Sequence, residues 1–237
     1  MNIVITMAGL GSRFTKAGYA EPKYMIEVKG KTLFEWSMES LASFRDELHM
    51  FIVRRDDGAK NFIEKMCEKA GICKYRVLEI KNLTRGQAET AMMAADCWQE
   101  EEPLYIYNID TYVERGELSS EIIKGDGFIP CFEAEGDHWS FVRLNNVGKA
   151  VEVREKKRIS RHCSIGAYYF RTCKLYVELY RKIYEELGYL EKGERYIAPM
   201  YNLLIEQGGE VYIQDIPSPK VHVLGTPEEV QSFEEGY

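Results

Sequence analysis

Met1-Asn2-Ile3-Val4-Ile5-Thr6-Met7-Ala8-Gly9-Leu10-Gly11-Ser12-Arg13 opens the chain, and its reading decides the fold. An apolar run that breaks at once into a glycine-bearing turn predicts a buried strand with a loop at its carboxyl end. Two familiar phosphate motifs fail there. Phe14 stands where GxGxxG needs its third glycine, which weakens a dinucleotide reading. A Walker loop fails outright, because the nearest lysine, Lys16, is not preceded by glycine. What remains is a Gly-Leu-Gly-Ser-Arg turn with a Pro22-Lys23 pair downstream.

Phosphate chemistry explains that combination. Small residues let backbone N–H groups approach phosphate oxygens, Arg13 can grip two oxygens together, and Lys23 adds a movable point charge. Pro22 fixes its own φ and restricts Glu21 to extended geometry, so the lysine is reached along a constrained path.

Outward from this turn the pattern alternates. Thr32-Leu33-Phe34-Glu35 has the form of a capping box, and Leu33, Phe34, Met38, Leu41 and Phe44 recur at helical spacing. There follow a strand at about His49 to Arg54, a helix at about Ala59 to Lys69 stopped by Gly71, and a strand at about Tyr75 to Ile80. A helix from about Gln87 to Trp98 leads to the apolar strand Leu104 to Ile109, which ends at Asp110. Such alternation predicts an α/β fold: a Rossmann-like, doubly wound, mainly parallel sheet.

Beyond Asp110 come shorter strands with polar turns, at about Phe128 to Phe132, Trp139 to Leu144, Ala150 to Arg154 and Ser164 to Phe170. Helices at about Lys174 to Leu187 and Ile197 to Gln207 and a strand near Glu210 to Ile216 complete the reading, a mixed sheet in all. No repeat or linker divides the chain, so residues 1–237 are read as one domain, with a nucleotide-binding half (1–110) and an acceptor-binding half (111–237).

With 237 residues, 45% of them hydrophobic, the chain can bury one large core. A formal charge of −7 excludes a general basic field, and with it wrapping of a nucleic-acid backbone. The six cysteines contain no CxxC pair and read as reduced packing residues. Neither a signal peptide nor a membrane span is readable, so the cytoplasm is the expected compartment. Association into a homo-oligomer is left open.

Met7 to Phe14, followed by Pro22-Lys23 and Val28-Lys29-Gly30-Lys31, resembles the N-terminal signature of the sugar-phosphate nucleotidyltransferase (pyrophosphorylase) family. That resemblance implies a glycosyltransferase-A-like fold. It implies transfer of a nucleoside monophosphate from an NTP to a phosphorylated small acceptor, with release of pyrophosphate. Arg13 and Lys23 take the catalytic roles, and Ala8, Gly9, Gly11 and Ser12 the phosphate cradle. Leu83 to Ala88 is similar to the family's base-reading segment, with Gly86 admitting the base and Gln87 reading its edge. Asn108 joins the nucleotide site, and Asp110 is the ligand for Mg²⁺, which prefers oxygen donors. Trp139 to Val142, Val153 to Lys156 and Ile165 to Phe170 look like the acceptor region: Lys156 would neutralise the acceptor phosphate, Glu155 bind a hydroxyl or amine, and Gly166 and Tyr196 line the pocket.

One departure stands out. Many relatives carry an acidic second metal ligand where this chain has Val223, before Leu224-Gly225; Asp215 and His222 are weak substitutes. The short chain without an appended domain favours a cytidylyltransferase acting on a sugar phosphate or small alcohol phosphate such as phosphocholine, for surface-polysaccharide or lipid-headgroup synthesis. Two other readings remain: a non-catalytic nucleotide-sugar-binding regulator, and a glycosyltransferase of similar fold. Against the latter, Asn108-Ile109-Asp110 stands where an Asp-x-Asp motif would.

Overall fold

The structure, a computed structural model, describes residues 1–236. Its frame is the expected alternation: β1 (Asn2–Thr6), the short α1 (Ser12–Lys16), a hairpin of β2 (Glu27–Val28) and β3 (Lys31–Thr32), α2 (Leu33–Ser40), β4 (Leu48–Arg54), α3 (Lys60–Ala70), β5 (Tyr75–Ile80), α4 (Gln87–Met92) and β6 (Leu104–Asn108). β1 pairs in parallel with β4 and β6, and β4 with β5. Because strands buried on both faces need apolar residues at every position, β1 and β4 read as continuous hydrophobic runs. Ile3, Ile5, Phe51 and Val53 pack into the core on the α2–α3 face, while Val4, Met50 and Ile52 pack into the core beneath α4.

The chain then continues through β7 (Thr111–Val113), β8 (Gly127–Glu133), β9 (Ser140–Leu144), β10 (Ala150–Glu155), β11 (His162–Ser164), β12 (Ala167–Phe170), α5 (Cys173–Tyr180), α6 (Met200–Glu206), β13 (Val211–Asp215), β14 (Val221–Val223) and α7 (Pro227–Gly236). One 10-stranded sheet runs through both halves in the order β10-β9-β11-β8-β12-β6-β1-β4-β5, with β13 parallel beside β8. From β1 the chain crosses to β4 on one side, and β6 returns on the other. The carboxyl ends of β1 and β6 are therefore a topological switch point, where open α/β sheets bind ligands.

Several expected elements are corrected. The single strand predicted at Ser164 to Phe170 is split at Ile165-Gly166: β11 runs between β8 and β9, whereas β12 runs between β8 and β6. The helix expected to reach Trp98 ends at Met92 and continues in tighter turns, with N–H groups of Met93, Ala94 and Ala95 bonding three residues back. The helix expected to reach Leu187 is α-helical to Tyr180 and π-helical over Arg181–Glu186. Pro199 disfavours α geometry at Ala198 before it, and the next helix starts at Met200. The predicted capping box at Thr32 and Glu35 is present in both directions.

Candidate active site

The floor of the site is built from the two strand ends. Thr6 and Asn108 are register partners on β1 and β6. Gln87, the first residue of α4, donates its side-chain amide to Asn108 Oδ1 and, at 3.4 Å, to Thr6 Oγ1. Asn108 N–H donates to the Gly166 carbonyl at 3.2 Å, which holds β6 against the split between β11 and β12. Gly166 has φ +83°, and a Cβ there would lie 2.1 Å from Asn108 Nδ2, so only glycine fits.

At one end of this floor stands the glycine turn after β1. Arg13 lies exposed in the first turn of α1, with no hydrogen-bond or ion-pair partner among the described residues. Pro22 is extended (φ −53°, ψ 138°), and Lys23 starts a tight turn closed by Met25 N–H on the Pro22 carbonyl. Its ammonium reaches Asp110 Oδ2 at 2.5 Å. Asp110 lies two residues beyond β6, in a turn fixed by Ser37 Oγ donating to the Ile109 carbonyl and by Leu224 N–H donating to the Asp110 carbonyl. The second bond brings Gly225 and the start of α7 alongside. Glu229 Oε2 accepts the Gly225 N–H at 3.0 Å.

Across the floor lies the other wall. Glu155 ends β10 and is buried; its carboxylate accepts from Ser140 Oγ, which also bonds Tyr168 Oη at 3.0 Å. Burial pushes the Glu155 pKa up, against the opposing pull of the Ser140 hydrogen bond and Lys156. Lys156, in the left-handed region at φ 51°, donates to Tyr196 Oη and lies 4.5 Å from that ring's centroid. Tyr196 is joined to the turn that starts α4 through its neighbour: Arg195 N–H donates to the Arg85 carbonyl, and Ala88 N–H to the Arg195 carbonyl. A Cβ on Gly86 would sit 2.6 Å from the Arg195 carbonyl oxygen, so this glycine serves chain packing as well as any ligand.

These walls enclose a cleft of about 740 Å³. Ala8, Gly9, Arg13, Lys23, Gly86, Gln87, Asn108, Asp110, Glu155, Gly166 and Tyr196 all line it. Gly11 and Ser12 are not in the lining, and Lys156 reaches it only through Tyr196. Asp215 bonds His162 Nδ1 at 2.8 Å and His222 stacks on Tyr112; neither lines the cleft, so both weak metal candidates fall away. Ser140 and Tyr168 fall in the segments read as the acceptor region but are not singled out by sequence, and Glu229 is given no role there. Glu229 carried a signal, since Thr226-Pro227-Glu228-Glu229 has capping-box form and its N–H does bond Thr226 Oγ1 at 3.2 Å.

Among the described residues no group of three or more His, Cys, Asp or Glu side chains forms a metal cage. The donors nonetheless suit a hard cation that keeps phosphate and water ligands. A Cβ at Gly225 would fill a small space facing Asp110 Oδ2 at 3.3 Å and Glu229 Oε2 at 3.5 Å, and the Lys23 ammonium already stands against Asp110.

A phosphate turn, a strand-end carboxylate and a second polar wall around one switch-point cleft define a nucleotide-handling α/β protein. The nucleoside-diphosphate-sugar pyrophosphorylase from Vibrio cholerae is similar over 98% of this chain and 99% of its own, with 36% identity and a TM-score of 0.90. The chain belongs to the sugar-phosphate nucleotidyltransferase family. The inositol-1-phosphate CTP transferase from T. maritima shares the fold at 17% identity and a TM-score of 0.77, over 99% of this chain and 96% of that one. No protein-family model matches the chain, and no curated protein does.

Proposed function

We propose that the protein transfers a nucleoside monophosphate from an NTP to a phosphorylated small acceptor, a sugar phosphate foremost, and releases pyrophosphate. One observation carries this reading: the turn after β1, Lys23 and Asp110 line the same cleft as Glu155 and Tyr196. Two anions can therefore meet over the floor at Asn108. The V. cholerae relative's name, a nucleoside-diphosphate-sugar pyrophosphorylase, supports the sugar-phosphate class. CTP is the donor we favour, with the product directed to surface-polysaccharide or headgroup synthesis in the cytoplasm.

In this mechanism an acceptor phosphate oxygen attacks the α-phosphorus in line and pyrophosphate leaves opposite. An anionic phosphate needs no deprotonating base and no protein nucleophile, so the work is positioning and charge stabilisation. Arg13 and Lys23 hold the oxygens on which charge accumulates, the amides of Ala8 and Gly9 line their path, and Gln87 and Gly86 receive the base. Lys156, which meets the cleft through Tyr196, would add positive charge behind the acceptor phosphate, while Glu155 binds an acceptor hydroxyl or amine. Mg²⁺ held by Asp110 would neutralise triphosphate charge.

Four NTPs assayed against phosphorylated sugars, choline phosphate and glycerol phosphate, with released pyrophosphate as readout, test the proposal. Pyrophosphate from at least one pair is the expected result. Its absence from all pairs, with transfer from a sugar nucleotide in the absence of NTP, would assign the cleft to a glycosyltransferase instead.

A further inference from the structure

We propose that Glu229 supplies a second carboxylate to the metal site beside Asp110, a role that the apolar side chain of Val223 cannot fill. The inference rests on the reading above, in which a divalent cation accompanies the NTP. Asp110 and Glu229 are far apart in sequence and come together because β14 returns along β7, and Leu224 N–H then bonds the Asp110 carbonyl. Between the two acids stands Gly225. The position its missing Cβ would occupy is 3.3 Å from Asp110 Oδ2 and 3.5 Å from Glu229 Oε2, so both carboxylates crowd the same point beside the Gly225 backbone, at the edge of the cleft that all three residues line.

Three further features fit a ligand. Glu229 is aimed: its backbone N–H is held by Thr226 Oγ1 and its Oε2 by the Gly225 N–H, which leaves Oε1 with no hydrogen-bond partner among the described residues. Glu229 also has no ion-pair partner among those residues, whereas Asp110 has Lys23. Two like charges bordering one space are relieved by a cation between them. Finally, Mg²⁺ usually takes one or two carboxylates along with phosphate oxygens and water, which is what this edge of the cleft offers.

The competing reading is that Glu229 only caps α7. Glu229→Gln separates the two, since its amide oxygen can still accept the Gly225 N–H while the charge is gone. Mn²⁺ alone is titrated into wild type, Glu229→Gln and Asp110→Asn, with free Mn²⁺ read by electron paramagnetic resonance and thermal midpoints taken on metal-free protein. Loss of an outer-shell partner already weakens metal binding about 10–100-fold, so Glu229→Gln should weaken Mn²⁺ by at least about tenfold with its metal-free midpoint unchanged. Adding Val223→Asp to that variant should restore binding. If Glu229→Gln binds Mn²⁺ as wild type does while Asp110→Asn does not, Glu229 is a cap and the inference fails alone. If both variants bind as wild type does, the metal site of the proposed function fails with it.

Discussion

The Lys23 ammonium rests 2.5 Å from Asp110 Oδ2, so the cation behind Pro22 and the carboxylate that ends β6 form one pair at the switch point of the sheet. Both side chains are partly exposed, at 18% and 27%, and such a pair contributes little to stability, about 0–1 kcal/mol. Its placement beside the phosphate turn is therefore better explained by chemistry than by folding.

That distinction makes Lys23→Ala a sharp test. Turnover should fall about 10²–10³-fold, the usual effect of removing one preorganised charge-stabilising donor. Calorimetry should show a loss of no more than about 1 kcal/mol. A variant with near-normal turnover would remove Lys23 from the mechanism.

Gly166→Ala addresses the floor. Its φ of +83° is strained for alanine, and the new methyl would strike Asn108 Nδ2. We expect about 1–3 kcal/mol of destabilisation. Since Asn108 also holds Gln87, the KM for NTP should rise more than that for the acceptor. Unchanged kinetics in a folded variant would show that the junction of β6 with the β11–β12 split does not shape the nucleotide site.

The parallel half of the fold was legible because its physics is local. Apolar runs, Gly71 beyond α3 and the Thr32–Glu35 capping box each declare themselves within a few residues. The glycine turn after β1 and Asp110 beyond β6 declare themselves as strand ends, which parallel register sets side by side. What escaped depends on distant partners. Nothing within Ser164 to Phe170 tells that its first residues lie between β8 and β9 and its last between β8 and β6, and the split at Gly166 follows from that change of partner. Ser140 matters because it bonds the buried Glu155 and is itself bonded to Tyr168. Glu229 comes near Asp110 because β14 pairs with β7, which nothing close to it in sequence declares.

His49 should set part of the acid limit of the fold. It is fully buried on β4, and desolvation lowers its pKa from the usual 6.5 to about 4 despite its bond to the Glu47 carbonyl. A histidine with a depressed folded pKa stabilises the fold above its unfolded pKa. That contribution disappears as pH falls through the window from 6.5 towards 4, because the unfolded chain binds the proton first. The shift corresponds to roughly 3 kcal/mol at most. His49→Asn, whose amide can still donate to the Glu47 carbonyl, should flatten the pH dependence of the thermal midpoint in that window. An unaltered profile would assign the acid sensitivity elsewhere.

Arg195 offers the last test, of whether the two walls of the cleft act together. Its guanidinium is buried, bonding Glu89 Oε1 at 3.3 Å, the Tyr180 hydroxyl and, at 3.4 Å, the Tyr184 carbonyl. Its backbone meanwhile ladders with Arg85 and Ala88, beside the base-reading Gln87. Tyr184 Oη returns to the Tyr196 carbonyl, so one side chain braces both the turn that receives the base and the tyrosine that steadies Lys156. Removing one member of a buried ion pair costs about 3–5 kcal/mol, and here Arg85 still pairs with Glu89, so Arg195→Met should fall towards the lower figure. KM should rise for NTP and acceptor together, with Arg195→Lys intermediate because an ammonium cannot fork to Tyr180 and Tyr184 at once. A rise confined to one substrate would mean that the walls are independent and that the brace serves only the fold.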